Sequence, residues 1–287
     1  SESTEYKTPK KILEETKNHV LQDCIGFWVG YFEKDSKKTY DPKKDIILDE
    51  YGWLRENKIN ISIDTIIGNK VLGHSVVAGN NRPFKGTIKI DSLPYYTYKF
   101  DVKEPGDDKY DGRFIFDVIN NELIGKWKAY KKIDIKKRKY KLTRKTVEYD
   151  TSQLLVRRKR YVDWKKERKE TLDEGPEGQD EEWIRTIYST STQNIYHVNA
   201  SSKLLSKEIV ENLTKGDLKI IRNTIYARHG YSFKNRQLRV FFDAQPWYIP
   251  VHTDIKKELT DIEKKNIRLL LKYEKNAVEY YDYFGRG

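Results

Sequence analysis

The chain is 287 residues long with a net charge of +12, 37% hydrophobic and 35% charged residues, a length that suits two cores of roughly 100 to 200 residues each. Its 13% aromatic content, led by 21 tyrosines, supplies apolar surface for folded cores, and no apolar run approaches the roughly 18 to 20 residues that cross a bilayer as a helix. One cysteine and five histidines rule out an internal disulfide and argue against a His/Cys metal site, so no metal and no cofactor is expected.

The opening "SESTEYKTPKK" lacks an initiator methionine and the sequence contains no Met, which reads as a processed or trimmed start. Polar openings of this kind follow the cleavage site of many exported bacterial proteins, so a lipid anchor upstream of Ser1 is one expectation and a trimmed boundary the other. A short helix is expected over Lys11 to Leu21, and Cys24 reads as a small buried apolar residue. From Cys24 to Val147 the apolar pattern has period two, the mark of half-buried antiparallel strands. Ile59, Ile61 and Ile63 alternate with polar residues, as do Tyr96, Tyr98, Phe100 and Val102, then Phe114, Phe116 and Val118, then Leu123, Gly125, Trp127 and Ala129. Turn signals at Gly68-Asn69, Gly79, Pro105 and Asn120-Asn121 separate them. With Cys24 to Phe32, Lys70 to Ala78, Phe84 to Ile90 and Arg138 to Val147 the count reaches about eight strands, enough to close an antiparallel barrel.

This up-and-down order, the expected N-terminal helix and "GFWVG" on the first strand resemble the lipocalin-like barrels through Gly26-x-Trp28. The resemblance implies that Trp28 plugs one end of the barrel and that a basic residue on the last strand, here Arg144, covers its indole. About two dozen residues, Glu33 to Asn57, are inserted between strands one and two. The aromatic strand faces either fill the interior, the preferred reading, or line a cavity for one small apolar molecule.

Between Lys126 and Glu170 the sequence holds 19 Lys and Arg against six Asp and Glu, a net of +13, so the rest of the chain sums to −1. Such a run is either the solvated face of a strand pair and a following helix or a grip on an anionic polymer such as nucleic acid, an envelope glycan or lipid headgroups. The acidic "TLDEGPEGQDEE" after it reads as an exposed linker. The expected organisation is a barrel domain over residues 1–165, a charged linker over 166–199 and a small all-α domain over 200–287.

In that last stretch the period changes to 3.6. Leu218, Ile221 and Ile225 share a helical face behind Thr214 and Asp217, and Gly230 ends that helix. A second helix begins near Asn235 and buries Leu238, Phe241 and Phe242; a third opens on the capping box Thr260 to Glu263, with Ile262, Leu269 and Leu270 as its apolar side. The strings "RN" at Arg222, "YARHG" at Tyr226 to Gly230, Phe233, "LRVFF" and "PWY" closely resemble the YARHG domain. The resemblance implies an extracytoplasmic compartment in an exported bacterial protein and no established activity.

Structurally, Tyr226, Phe233, Phe242 and Trp247 would close a small core and Arg228 and His229 would sit at a helix end. As a binding site, Arg222, Arg228 and His229 with Tyr226 and Trp247 would form a cationic pocket for an anionic glycan or lipid of the envelope. The leading expectation is an exported, envelope-associated, non-catalytic binding protein. The alternatives are a cell-wall hydrolase using His229 with Asp243 or another acid and a nucleic-acid binder acting through 126–170; an exported compartment argues against the latter.

Overall fold

The structure is a computed structural model that describes residues 21–36, 54–91, 96–157, 160–172 and 183–277. The expected helix over Lys11 to Leu21 and most of the Glu33 to Asn57 insertion lie outside them. Eight strands close an antiparallel barrel in sequence order: β1 Gly26–Lys34, β2 Asn57–Ile67, β3 Lys70–Val77, β4 Asn80–Asp91, β5 Thr97–Lys103, β6 Gly112–Ile119, β7 Glu122–Ala129 and β8 Lys137–Lys145. The turns follow from backbone chemistry. Ala78-Gly79 and Asn120-Asn121 both take positive φ at two successive residues, the requirement of the tight hairpin turns whose twist matches the flanking strands.

The inward residues are those that alternation marks, except Tyr96, which precedes β5 and is exposed, and they fill this core with rings. Phe32 meets Phe114, Trp127 and Tyr140, Phe114 meets Phe84, and Phe100 stacks on Phe116 with centroids 4.7 Å apart. Gly86 is required where strands approach closely: a Cβ there would lie 2.0 Å from the Asp101 carbonyl.

Strands β1 and β8 pair with Trp28 opposite Arg144, and Trp28 is fully buried. Arg144 Nη2 donates to the Ile25 carbonyl at 2.7 Å and its side chain lies over Gly26, while the indole of Trp28 donates to the Cys24 carbonyl at 2.9 Å. Arg144 sits at the exposed end of the last strand, where its guanidinium finds a main-chain acceptor. Arg138 covers a ring, 4.9 Å from the Phe32 centroid and bonded to the Phe32 carbonyl.

The segment expected as a linker over 166–199 is corrected. Strands β9 Val162–Leu172 and β10 Trp183–Thr190 pair as an antiparallel hairpin, followed by a 3₁₀ turn Gln193–Tyr196; the acidic run between the strands lies outside the described residues. Lys165 to Lys169 are exposed without alternation, so composition there resembles a linker although the backbone is paired. The continuation of the basic run, read as a helix, is this strand.

The remaining elements are α1 Lys207–Val210, α2 Lys215–Arg228, α3 Arg236–Asp243 and α4 Asp261–Asn276. Each of the three longer helices starts at a side-chain cap: Thr214, Asn235 and Thr260, the first and last with full capping boxes. α2 and α3 bury the expected faces; α4 buries Glu263, Asn266, Ile267 and Leu270, leaving Ile262 toward solvent. The chain divides into two compact units between Val147 and Glu148, so residues 148–165 group with the helices rather than with the barrel. Trp28→Ala should cost about 3 to 5 kcal/mol as a core deletion, read by urea unfolding; Trp28→Phe should cost less while leaving the Cys24 carbonyl without its donor.

Candidate functional site

The motif at the end of α2 is built around an irregular segment, residues 149–156, that turns at Thr151 and Ser152 and pairs with no described strand. Arg228 is buried, and its Nε and Nη2 donate to the Gln153 carbonyl at 3.1 and 2.8 Å while Nη1 donates to the Ser201 hydroxyl at 3.1 Å. Burial lowers its pKa to about 10, still charged at neutral pH. Trp247 donates to the Leu154 carbonyl at 2.8 Å, Asn199 to the Thr151 carbonyl at 2.7 Å, and Gln245 accepts from the Val156 amide at 2.8 Å. Segment 149–156 is therefore hydrogen-bonded almost entirely by side chains.

His229 closes one end of this clamp. Its Nε2 lies 2.7 Å from Glu263, whose other oxygen accepts from the Tyr149 hydroxyl at 2.8 Å, and the imidazole stacks on the Tyr149 ring with centroids 4.2 Å apart. Burial opposes the charge on Glu263, but hydrogen bonds from His229, the Thr260 amide, Ser201 and Tyr149 outweigh it and hold the carboxyl below its ordinary value. The same surroundings push the Tyr149 hydroxyl up to about 12, burial first and Glu263 second. Gly230 follows with φ +70°, and its carbonyl accepts from Val251 and His252 at 2.8 and 2.9 Å, a left-handed helix end that favours glycine.

The five residues expected as a pocket do not converge on one space. Arg228, His229 and Trp247 surround segment 149–156. Arg222 instead makes a bidentate pair with Glu274 at 2.8 and 3.0 Å rather than reaching Asp243. Tyr226 lies edge-on to Tyr231 and lines a shallow cavity of about 540 Å³ with Phe233, Leu238 and Ile255. The rings that close the core are Phe233, Phe242 and Tyr248; Trp247 is only partly buried. His229 takes Glu263 rather than Asp243 as its acid, and the two side chains are 6% and 0% exposed.

Within the barrel, three features escaped the sequence reading. Glu104 is buried, with one oxygen accepting from the Gly112 amide at 2.6 Å and the Trp127 indole at 3.2 Å and the other from the Ser75 hydroxyl at 3.3 Å. Burial, with Asp111 nearby, raises its pKa to about 7 against the hydrogen bonds and Arg82. Ser62, Asp64 and His74 also meet, but the carboxylate sits between the other two: Ser62 donates to one oxygen and His74 holds the second at 2.7 Å. A nucleophile held by the acid instead of the base is not a relay. The third is an open groove of about 1420 Å³, lined by Leu72, Lys85, Lys103, Ile115, Lys128 and Lys137 among others.

A closed eight-stranded barrel followed by a small helical domain is the class of protein these features define. The barrel has the up-and-down order of lipocalin-like barrels, and residues 194–275 match the YARHG domain family. YARHG domains occur in exported bacterial proteins. No curated protein and no solved structure matches the chain. No described helix is long and apolar enough to cross a membrane, and no group of three or more His, Cys, Asp and Glu among the described residues is placed to hold a metal.

Two measurements follow from this geometry. Arg228→Ala should cost about 1 to 3 kcal/mol in urea unfolding, beyond the roughly 1 kcal/mol at most of a helix-end charge, because the half-buried Gln153 carbonyl and the Ser201 hydroxyl lose their donor. For Glu104, the folded pKa of about 7 exceeds the ordinary glutamate value of 4.5, so the folded state holds the proton more tightly. Its contribution to stability is full below pH 4.5 and falls as pH rises toward 7. The loss should approach about 3 kcal/mol, and Glu104→Gln should remove that part of the slope between pH 5 and 8.

Proposed function

We propose that this chain is a non-catalytic, extracytoplasmic binding protein of the bacterial envelope, in which the helical unit is a structural module and the barrel carries the ligand surface. One observation supports this reading above others. The hydrogen-bonding groups of Arg222, Arg228, His229 and Trp247 are engaged within the fold, whereas four exposed lysines lining the barrel groove, Lys85, Lys103, Lys128 and Lys137, have no acidic partner among the described residues. A surface of unneutralised cations suits an anionic component of the envelope. The hydrolase alternative has less support, since the His229–Glu263 pair is buried beneath Tyr149.

Cell fractionation of the bacterium that produces the protein tests the reading. The chain should be accessible to protease added to intact or outer-membrane-permeabilised cells, co-sediment with the envelope in low salt, and be released by 1 M salt, which collapses the screening length to about 3 Å. A chain recovered wholly from the cytosol would defeat the reading.

A further inference from the structure

The free cations of the barrel are aligned. Following the strand register across the outer face, Leu72 of β3 pairs with Lys85 of β4, Lys85 with Lys103 of β5, Lys103 with Arg113 of β6, Arg113 with Lys128 of β7, and Lys128 with Lys137 of β8. Five consecutive strands thus place a cation at the same level, one for each strand spacing of about 4.8 Å. All five side chains are exposed. Like charges directly opposite each other in a sheet are destabilising, and here the conflict is repeated four times in succession.

The neighbouring levels are treated differently. Lys99 pairs with Asp91, Lys126 with Asp35, Lys139 with Glu33 and Lys141 with Glu122. In the row itself only Arg113 has an acid, Asp101 of the adjacent level, held by both arms of its fork. The carboxyl of Asp101 is held below its ordinary value, chiefly by Arg113, with Lys103 and Lys89 adding to the effect. The local field is therefore positive even where one acid intrudes.

The geometry points to a binding track for a flexible phosphodiester-linked polyanion laid across β4 to β8. The assignment rests on the envelope-binding reading and names its ligand class. Strands of an eight-stranded barrel tilt by roughly 35 to 45° to the axis, so a line running from strand to strand winds around the wall. A flexible chain follows such a line; a flat bilayer touches only part of it. Four of the five cations are lysines, which act as hydrated point charges toward phosphates, and the one guanidinium fork is already taken, so the track supplies charge without the bidentate geometry that selects carboxylates. The exposed apolar residues of the groove are Leu72, Ile115 and one ring, Tyr130, whose hydroxyl donates to the Glu104 carbonyl; a single tethered ring is not the succession of rings on which consecutive nucleic-acid bases stack.

The test measures binding of the full chain to three fluorescent or labelled probes: a poly(glycerol phosphate) oligomer, single-stranded oligothymidylate of equal charge, and vesicles of phosphatidylglycerol and phosphatidylcholine. The poly(glycerol phosphate) probe should bind most tightly, and its affinity should fall about 50-fold between 50 and 200 mM salt if about four phosphates are neutralised. The quadruple variant K85Q/K103Q/K128Q/K137Q should lose at least tenfold in affinity and most of the salt dependence, whereas a charge-matched control at Lys99, Lys139, Lys141 and Lys145 should bind like the wild type. Without ligand, the quadruple variant should melt above the wild type in low salt, and the difference should shrink as salt rises, which also shows that it is folded. Equal binding by the two variants, tighter binding of either other probe, or no binding of the first probe would overturn the track. If the chain sediments with the envelope in the fractionation experiment but fails these assays, the track falls and the envelope reading stands; a cytosolic chain defeats the reading whatever it binds.

Discussion

The helical unit depends on one constraint: main-chain carbonyls and amides taken out of water need partners. Residues 149–156 are half-buried and pair with no described strand, so side chains supply bonds that a ladder would. Arg228 serves the Gln153 carbonyl, Trp247 the Leu154 carbonyl, Asn199 the Thr151 carbonyl and Gln245 the Val156 amide. His229 fixes Glu263, and Glu263 fixes Tyr149 at the head of the segment. The motif that looks most like chemistry in the sequence is thus largely a set of donors aimed at backbone. Its histidine and arginine are themselves buried under the segment they hold.

The barrel distributes its polar groups by the opposite logic. Its core is mainly rings and aliphatic side chains, and among its buried polar groups is a carboxyl, Glu104, kept by three donors in a place where its charge is disfavoured. Its outer wall carries several cations with acidic partners, Lys99, Lys126, Lys139 and Lys141, and one register line on which a cation repeats over five consecutive strands. Sheet pairing is what makes that line visible, since the five residues are spread from position 85 to position 137 and form no cluster in the sequence.

Much of the fold could be read in advance because its signals are local. Alternation of Ile59, Ile61 and Ile63 or of Phe114, Phe116 and Val118 depends only on which face is buried, and the caps at Thr214 and Thr260 depend only on residues three apart. What could not be read depends on partners far along the chain. The hairpin of β9 and β10 was hidden because Lys165 to Lys169 are solvated on both faces, leaving no period to detect. Arg144 could be placed opposite Trp28, but its bond to the Ile25 carbonyl depends on a partner 119 residues away. Glu104 did leave a trace: it continues the inward parity of Tyr98, Phe100 and Val102, and a carboxylate at that position should have been read as buried. Tyr149 left none, since nothing near it in sequence announces His229.

The clamp also bears on how the chain is connected. Arg228 reaches back 75 residues to Gln153, and Trp247 reaches back 93 to Leu154, whereas the family match begins only at residue 194. The hairpin of β9 and β10 lies between the segment that is gripped and the module that grips it, and its base belongs to the same core: Tyr161 is buried against Phe241, and Asp163 accepts from Gln237. Closing a loop of this length is governed by a logarithm, so doubling it adds only about 0.6 kcal/mol of chain entropy. The compact unit extends accordingly beyond the span its sequence signature covers: it includes a stretch of backbone that carries none of the signature and supplies the acceptors for it.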